Sequence, residues 1–190
     1  MLEQQLAPPI ATPPPPARSP LAPRRELVAW GAHGGAGTST LAALLRPCWD
    51  MGTLRRRTDP RFPAVHTYGR PLIIVCRNTV AAAERATAAV MAVAQPGGQV
   101  AALAVIADGA GREPREAVAR FRLLESRVGL VVRVPFVAAL RLVDDPTSVD
   151  LPRRAEQAVD QLRALAVGRL PCLCPGRSKG VRDVDDPCRA

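Results

Sequence analysis

Four short apolar runs constrain the fold of this chain more than any other feature of its sequence. They hold almost no polar residues and lie at residues 27–29, 72–75, 100–107 and 130–134. A strand with one exposed face alternates polar and apolar residues, so these runs predict strands that are buried on both faces. Such strands are typical of parallel sheets that helices cover on both sides.

Segments with helical spacing lie between these runs and complete the pattern. Their apolar residues recur every three or four positions and are Val80, Ala83, Thr87, Val90 and Ala94, then Ala117, Phe121 and Leu124, and finally Leu151, Ala155, Ala158, Leu162 and Leu165. This alternation predicts a three-layer α/β fold, in which a mostly parallel sheet lies between two layers of helices. We expect ligands at the carboxyl ends of the strands.

The two ends of the chain and one internal segment depart from this pattern. Residues 1–24 carry the proline run 13–16, which cannot form helix or ladder hydrogen bonds, and are predicted to be a disordered arm. Residues 168–190 lack periodicity and are predicted to be a second disordered tail. One domain over residues 25–167 is therefore expected. Within it, residues 47–70 show no period and are predicted to form a long basic loop without a strand.

The charge and cysteine content limit the partners and the compartment. The net charge is +9, and only one of the 26 basic residues, Lys179, is a lysine. This excess of arginine favours anionic partners, including nucleic acid, although solvated helix faces explain it equally simply. The arginine, alanine and proline bias also favours an actinobacterial source. With five cysteines and no apparent secretory signal, the chain is expected to be cytoplasmic with free thiols. No segment is apolar enough to span a membrane, since Glu84 and Arg85 interrupt the alanine-rich stretch.

A glycine-rich segment follows the first apolar run and is the strongest candidate for a binding site. It runs from Gly31 to Gly37, and the sequence Thr38-Ser39-Thr40 then begins a predicted helix. Glycines let backbone N–H groups converge on one point, and a helix N-terminus adds partial positive charge, so the segment is suited to an anion. The predicted cofactor-binding residues are Gly34, Gly35, Ala36, Gly37, Thr38, Ser39 and Thr40, with the Ser39 hydroxyl as a magnesium ligand.

The segment resembles the deviant Walker A loop of the ParA/MinD family of partition and positioning ATPases, whose pattern is K-G-G-x-G-K-[ST]-[ST]. The matching residues are Gly34, Gly35, Gly37, Ser39 and Thr40. His33 and Thr38 stand where the family has its two lysines. The resemblance implies a reduced P-loop NTPase-like fold that binds ATP or another nucleotide with magnesium. Degenerate loops of this kind are also found in the CpaE/TadZ-like pilus-positioning branch of the family.

The same resemblance extends to residues 26–167 and implies further site residues. By position, the nucleotide base would contact Asp108 and the loop at Pro135 and Phe136. The family also places an aspartate at the end of a strand before residues 72–75, where this sequence offers only Asp50 and Asp59 in the predicted loop. Without the lysine and this aspartate, no obvious residue stabilises the charge on the transferred phosphate or orients the attacking water. No catalytic residue is therefore assigned.

Several interpretations of these residues stay open. The glycine segment is either an anion cradle or a turn that packs closely, and His33 is either a phosphate donor or a turn-capping residue. Residues 55–57, Arg61 and Arg70 are either substitute phosphate clamps or a solvated basic loop. The leading hypothesis is a regulatory switch that binds a nucleotide with little or no hydrolysis and acts on a protein partner. Homodimers and nucleic acid are further candidate partners. The alternatives are a pseudo-ATPase adaptor that binds no nucleotide and a weak ATPase in partitioning or positioning.

Overall fold

A five-stranded parallel sheet is the centre of the computed structural model, which describes residues 26–53 and 65–168. The strands are β1 (Leu27–Gly31), β2 (Cys48–Thr53), β3 (Leu72–Arg77), β4 (Ala102–Ile106) and β5 (Val131–Val134). They are ordered β2-β1-β3-β4-β5, and every neighbouring pair is parallel. The predicted arm, and the predicted tail beyond Gly168, lie outside the described residues.

Four α-helices cover the two faces of the sheet. They are α1 (Thr38–Leu44), α2 (Val80–Ala94), α3 (Arg115–Leu124) and α4 (Arg153–Ala164), with short 3-10 helices at Ala138–Arg141, Pro146–Ser148 and Leu165–Val167. Apolar residues of α2 and α3 pack on one face, and those of α1 and α4 pack on the other. The predicted three-layer α/β architecture is therefore confirmed. None of the helices in the described part of the chain is both long and apolar enough to cross a membrane.

The central strand β3 shows why its sequence lacks alternation. Leu72, Ile74 and Cys76 pack toward α2 and α3, whereas Ile73 and Val75 pack toward α1 and α4. All five side chains are buried, because successive residues of a strand point to opposite faces and a helix layer covers each face. Burying each aliphatic side chain contributes about 1.5–3 kcal/mol, so this strand anchors both cores.

The predicted buried face of α2 is partly wrong. Thr87 and Ala94 are exposed, and the helix instead buries Ala82, Ala86 and Val93 beside Ala83 and Val90. Alanines lie on all sides of this helix, so hydrophobic spacing does not distinguish one face. Packing against the sheet decides which face is buried. The Thr87 hydroxyl donates to the Ala83 carbonyl, which satisfies it at the exposed surface. The predicted face of α3 is confirmed, since Ala117, Phe121 and Leu124 are buried. The predicted face of α4 is confirmed for Ala155, Ala158 and Leu162, whereas Leu151 lies before the helix and is half-buried, and the buried Leu165 lies in the 3-10 helix that follows.

The prediction that residues 47–70 contain no strand is also wrong. Strand β2 pairs in parallel with β1, and its Cys48 and Asp50 lie opposite Leu27 and Ala29. Most of β2 is exposed because it lies at the edge of the sheet, with only one neighbouring strand in the described part of the chain. An exposed edge strand needs no apolar run, which explains why the sequence pattern missed it. Residues 54–64, including the candidate arginines 55–57 and Arg61, lie outside the described residues.

Arg70 is a structural residue at the amino edge of the sheet. Its Nε donates to a carboxylate oxygen of Glu26 at 2.7 Å, and its guanidinium lies 4.2 Å from the ring centroid of Trp49. Glu26 precedes β1 and Arg70 precedes β3, so the pair joins the beginnings of neighbouring strands. The glycine-rich segment follows the opposite end of β1. Arg70 is therefore not the phosphate clamp that the sequence allowed.

The buried thiol of Cys76 predicts a pH-dependent loss of stability. Burial raises its pKa from an ordinary value of 9.0 to about 12. Above the ordinary value the unfolded chain loses this proton while the folded chain keeps it, so the free energy of unfolding falls as pH rises. The loss approaches about 1.4 kcal/mol per pH unit until the folded pKa is reached. Urea titrations at several pH values above about 8 should show a shallower decline for Cys76→Ala than for the unchanged protein.

Cys48 provides the matched control, since partial burial and the nearby Asp50 carboxylate raise its pKa to about 11. Cys48→Ala should remove the part of the decline in unfolding free energy that Cys48 causes, and it should keep the part that Cys76 causes. Equal slopes in the unchanged protein and in Cys76→Ala would contradict the prediction.

Candidate functional site

The strand order places a crevice beside the end of β1. The connection from β1 leads to β2 on one side, and the connection from its neighbour β3 leads to β4 on the other side, so the two connections run in opposite directions. In doubly wound sheets with the order 2-1-3-4-5, ligands bind at this switch point, outside the carboxyl ends of the strands. The glycine-rich loop follows β1 at this point, and Arg77 ends β3 beside it.

The loop turns into α1 through glycines in left-handed backbone conformations. Gly35 has a φ of 71°, and Gly37, the N-cap of α1, has a φ of 91°. The N–H groups of Thr38, Ser39 and Thr40 have no intrahelical acceptor, because they lie in the first turn of the helix. Gly37 has no side chain that could accept from them, so the helix has no side-chain capping hydrogen bond. Since α1 has only seven residues, its dipole is a minor contribution to the charge of the site.

Thr38, which stands at the lysine position of the family pattern, is turned inward beneath the loop. A Cβ placed on Gly31 would lie 2.5 Å from Thr38 Oγ1 and 3.2 Å from the carbonyl oxygen of Gly52. The Thr38 side chain is buried, and its hydroxyl has no hydrogen-bond partner in the described part of the chain. Thr38 therefore contributes a backbone N–H and no cationic side chain.

His33 and Arg77 join the loop to the end of β3. The Arg77 backbone N–H donates to Nε2 of His33 at 3.2 Å, and His33 Nδ1 lies 2.8 Å from the Gly34 carbonyl oxygen. The Arg77 Nε donates to the Gly35 carbonyl at 3.0 Å. These contacts fix the loop from both sides, and they favour the turn-stabilising interpretation of His33 over a phosphate donor.

An open cleft begins at Gly37 and Thr40 and extends along the ends of β3, β4 and β5. Its walls are mainly apolar and include Leu41, Leu44, Ile106, Val134, Phe136 and Leu140. Pro135 and Phe136 line it together with Gly37 and Thr40. These four predicted site residues therefore belong to one surface.

The other predicted site residues do not line this cleft. Gly34 and Gly35 are exposed on the loop, Ala36 is buried in the core shared by α1 and α4, and Ser39 is exposed on α1. Asp108 is exposed, and its carbonyl oxygen accepts a hydrogen bond from Arg141 at 3.4 Å.

Two arginines give the cleft its charge. Arg77 lies between the glycine loop and β4, where one of its terminal nitrogens donates to the Ala107 carbonyl at 3.4 Å. Arg141 stacks over Phe136, with its guanidinium 4.9 Å from the ring centroid. The cleft-lining residues include no aspartate or glutamate. The position of Arg77 at the end of an apolar run is a signal in the sequence, whereas Arg141 reaches the cleft only through the turn after β5.

The carboxylate of Asp50 belongs to a local turn. It lies on β2, beside β1, and accepts a hydrogen bond from the Gly52 N–H at 2.8 Å. Asp50 does not line the cleft, and Asp59 is outside the described residues. Within residues 26–53 and 65–168, no group of three or more histidine, cysteine, aspartate or glutamate side chains could hold a metal ion. The described lining of the cleft therefore presents two arginines among mainly apolar walls.

Comparison with known proteins finds no matching family model and no significant match among curated proteins or solved structures. What the cleft binds must therefore follow from its own residues.

The His33 contacts predict an unusual tautomer. A backbone N–H can only donate, so neutral His33 must accept at Nε2 and carry its proton on Nδ1, which then donates to the Gly34 carbonyl. Nitrogen NMR at a pH of about 8, where ordinary histidines are neutral, should show the Nδ1–H form at His33. The exposed His66 is the internal control and should show mainly the Nε2–H form. An Nε2–H form at His33 would contradict the contact with Arg77.

The close approach of Gly31 and Thr38 predicts a steric conflict on substitution. Gly31→Ala should lower the free energy of unfolding by about 1–3 kcal/mol, because the new methyl group meets Thr38 Oγ1. Combining it with Thr38→Ala should recover part of this loss, as measured by urea denaturation in a double-mutant cycle. Gly34→Ala is the control, since a Cβ there meets nothing within 4 Å. An additive cycle would show that the two residues do not interact.

Proposed function

We propose that this cleft binds a nucleotide or a related phosphate-bearing ligand, and that binding acts as a switch for a partner protein with little or no hydrolysis. The observation that carries the proposal is the combination of two arginines with no acidic lining residue in a mainly apolar cleft that begins at the glycine loop. Two cations without a lining acid among the described residues give the cleft a positive potential, which favours an anionic ligand. The resemblance of the loop to the ParA/MinD pattern supports a nucleotide.

The walls of the cleft suit the apolar part of such a ligand. Phe136 offers an aromatic ring, and Leu41, Leu44 and Leu140 add aliphatic surface. Ligand sites commonly combine apolar walls with a few polar groups that fix orientation. A base against these walls would leave the phosphates near Gly37 and Thr40, where backbone N–H groups are available.

The residues that contact the loop favour binding over hydrolysis. Hydrolysis of a phosphoanhydride needs charge stabilisation at the transferred phosphate and a group that orients the attacking water. Thr38 supplies no cation, and Asp50 is held by the Gly52 N–H. Among the described residues, no aspartate or glutamate lines the cleft.

The segment after β5 offers a route from the cleft to a partner. Phe136 and Arg141 contact the cleft, and the adjoining Leu142 is 84% exposed. A ligand that contacts Phe136 and Arg141 would stabilise one arrangement of this segment and so bias how it presents Leu142. We propose this surface as the contact for a protein partner, with a second copy of the chain as one candidate.

A second function, that of an adaptor which binds no nucleotide, is favoured by the edge strand. Trp49 and Met51 on β2 are 45% and 42% exposed. Exposed apolar residues on an unpaired strand edge are suited to pairing with another chain. Basic residues would extend such a contact to nucleic acid.

The test is a titration of the full chain with a fluorescent ATP analogue. Saturable binding is expected, and Phe136→Ala should weaken it about tenfold, because an aromatic wall contributes roughly 1–2 kcal/mol. Tyr68→Ala is the matched control, since Tyr68 is an exposed aromatic residue outside the cleft. The absence of binding at millimolar analogue would reject the proposal and favour the adaptor. Phosphate release on a timescale of minutes would instead identify a weak ATPase.

A further inference from the structure

The charge of the cleft bears on whether a ligand needs a metal ion. The resemblance to the ParA/MinD loop implies that magnesium accompanies the nucleotide. Magnesium is usually bound through one or two carboxylates together with phosphate oxygens and water. The cleft-lining residues contain two arginines and no carboxylate, so its donor set does not fit this ion.

The residue that the resemblance assigns to magnesium, and the two neighbouring aspartates, also fit this ion poorly. Ser39 is exposed on α1 and does not line the cleft. The Asp50 carboxylate accepts the Gly52 N–H, and Asp108 contacts the cleft arginine through its carbonyl oxygen alone. A divalent cation would thus add positive charge beside Arg77 and Arg141, and no lining carboxylate of residues 26–53 and 65–168 would neutralise it.

The two arginines keep most of their hydrogen-bonding capacity. A guanidinium has five N–H donors. Arg77 uses its Nε for the Gly35 carbonyl and one terminal nitrogen for Ala107, and Arg141 uses one terminal nitrogen for Asp108. Both residues therefore retain donors that can pair with phosphate oxygens, which guanidinium groups bind in a forked geometry.

We infer that the cleft binds its nucleoside phosphate as a metal-free anion, with Arg77 and Arg141 neutralising the charge that magnesium neutralises in related loops. This inference rests on the proposed function and specifies the ligand of the same site. Magnesium reduces the negative charge of ATP and occupies phosphate oxygens that the arginines would otherwise contact. Free ATP should therefore bind more tightly than its magnesium complex.

The experiment compares ATP binding by the full chain in EDTA and in excess magnesium at equal ionic strength. Calorimetric titration should give an affinity about three to ten times higher in EDTA, since extra ligand charge strengthens the contact with two cations. Tripolyphosphate should compete with a fluorescent ATP analogue in EDTA, and adenosine, which carries no phosphate, should compete far more weakly.

Substitutions of the exposed arginine test the source of this preference. Arg141→Gln should weaken binding in EDTA about tenfold and remove most of the difference between EDTA and magnesium. Arg141→Lys keeps the charge and should retain part of that difference. Arg122→Gln is the matched control, because Arg122 is an exposed arginine on α3 outside the cleft.

The outcomes separate this inference from the function on which it rests. Binding that needs magnesium would overturn the inference and leave nucleotide binding established. Equal affinities in EDTA and magnesium, unaffected by Arg141→Gln, would also overturn it. No binding in either condition would reject the proposed function together with the inference.

Discussion

The structure depends on the parallel pairing of β1 with β3, two strands buried on both faces. Because these strands are neighbours, the loop that leaves β1 and the arginine that ends β3 lie at the same edge of the sheet. Helices cover both faces, so the strands are fixed in position and direction. The backbone N–H and guanidinium of Arg77 can then hold His33 and Gly35 in one conformation. Sheet packing thus prepares the loop geometry before any ligand binds.

The cleft begins at a glycine loop, but its positive charge comes from residues outside that loop. Its glycine loop and its position at the switch point suit phosphate, as in many doubly wound folds. Its cations, however, come from the end of β3 and from the turn after β5, and Thr38 at the usual lysine position is buried beneath the loop. The positive charge therefore lies along the cleft and not within the loop. This placement is consistent with the proposed binding of an anion.

The sequence predicted some elements well because the physics that forms them is local. The runs at residues 27–29, 72–75 and 102–106 are apolar throughout, as strands covered on both faces require, whereas β5 is not buried on both faces because its Arg133 is exposed. The face of α3 is marked by Phe121 among charged residues, whereas α2 offers alanines on all sides and its face was assigned only partly correctly. Strand β2 was missed because its exposed residues follow no pattern. Arg70 was considered for the site, but its pairing with Glu26 joins residues that lie far apart in the chain.

The sequence by itself determined that this chain forms an α/β sheet and that a glycine turn follows its first strand, since both follow from hydrophobic runs and from residue-specific backbone freedom. Tertiary structure alone decided which side chains meet at that turn. Arg77, Phe136 and Arg141 converge because β3, β4 and β5 end at one edge of the sheet, whereas Asp50 lies on the outer strand β2 and does not line the cleft. Charge in the cleft therefore depends on the strand order, which spacing along the chain does not specify.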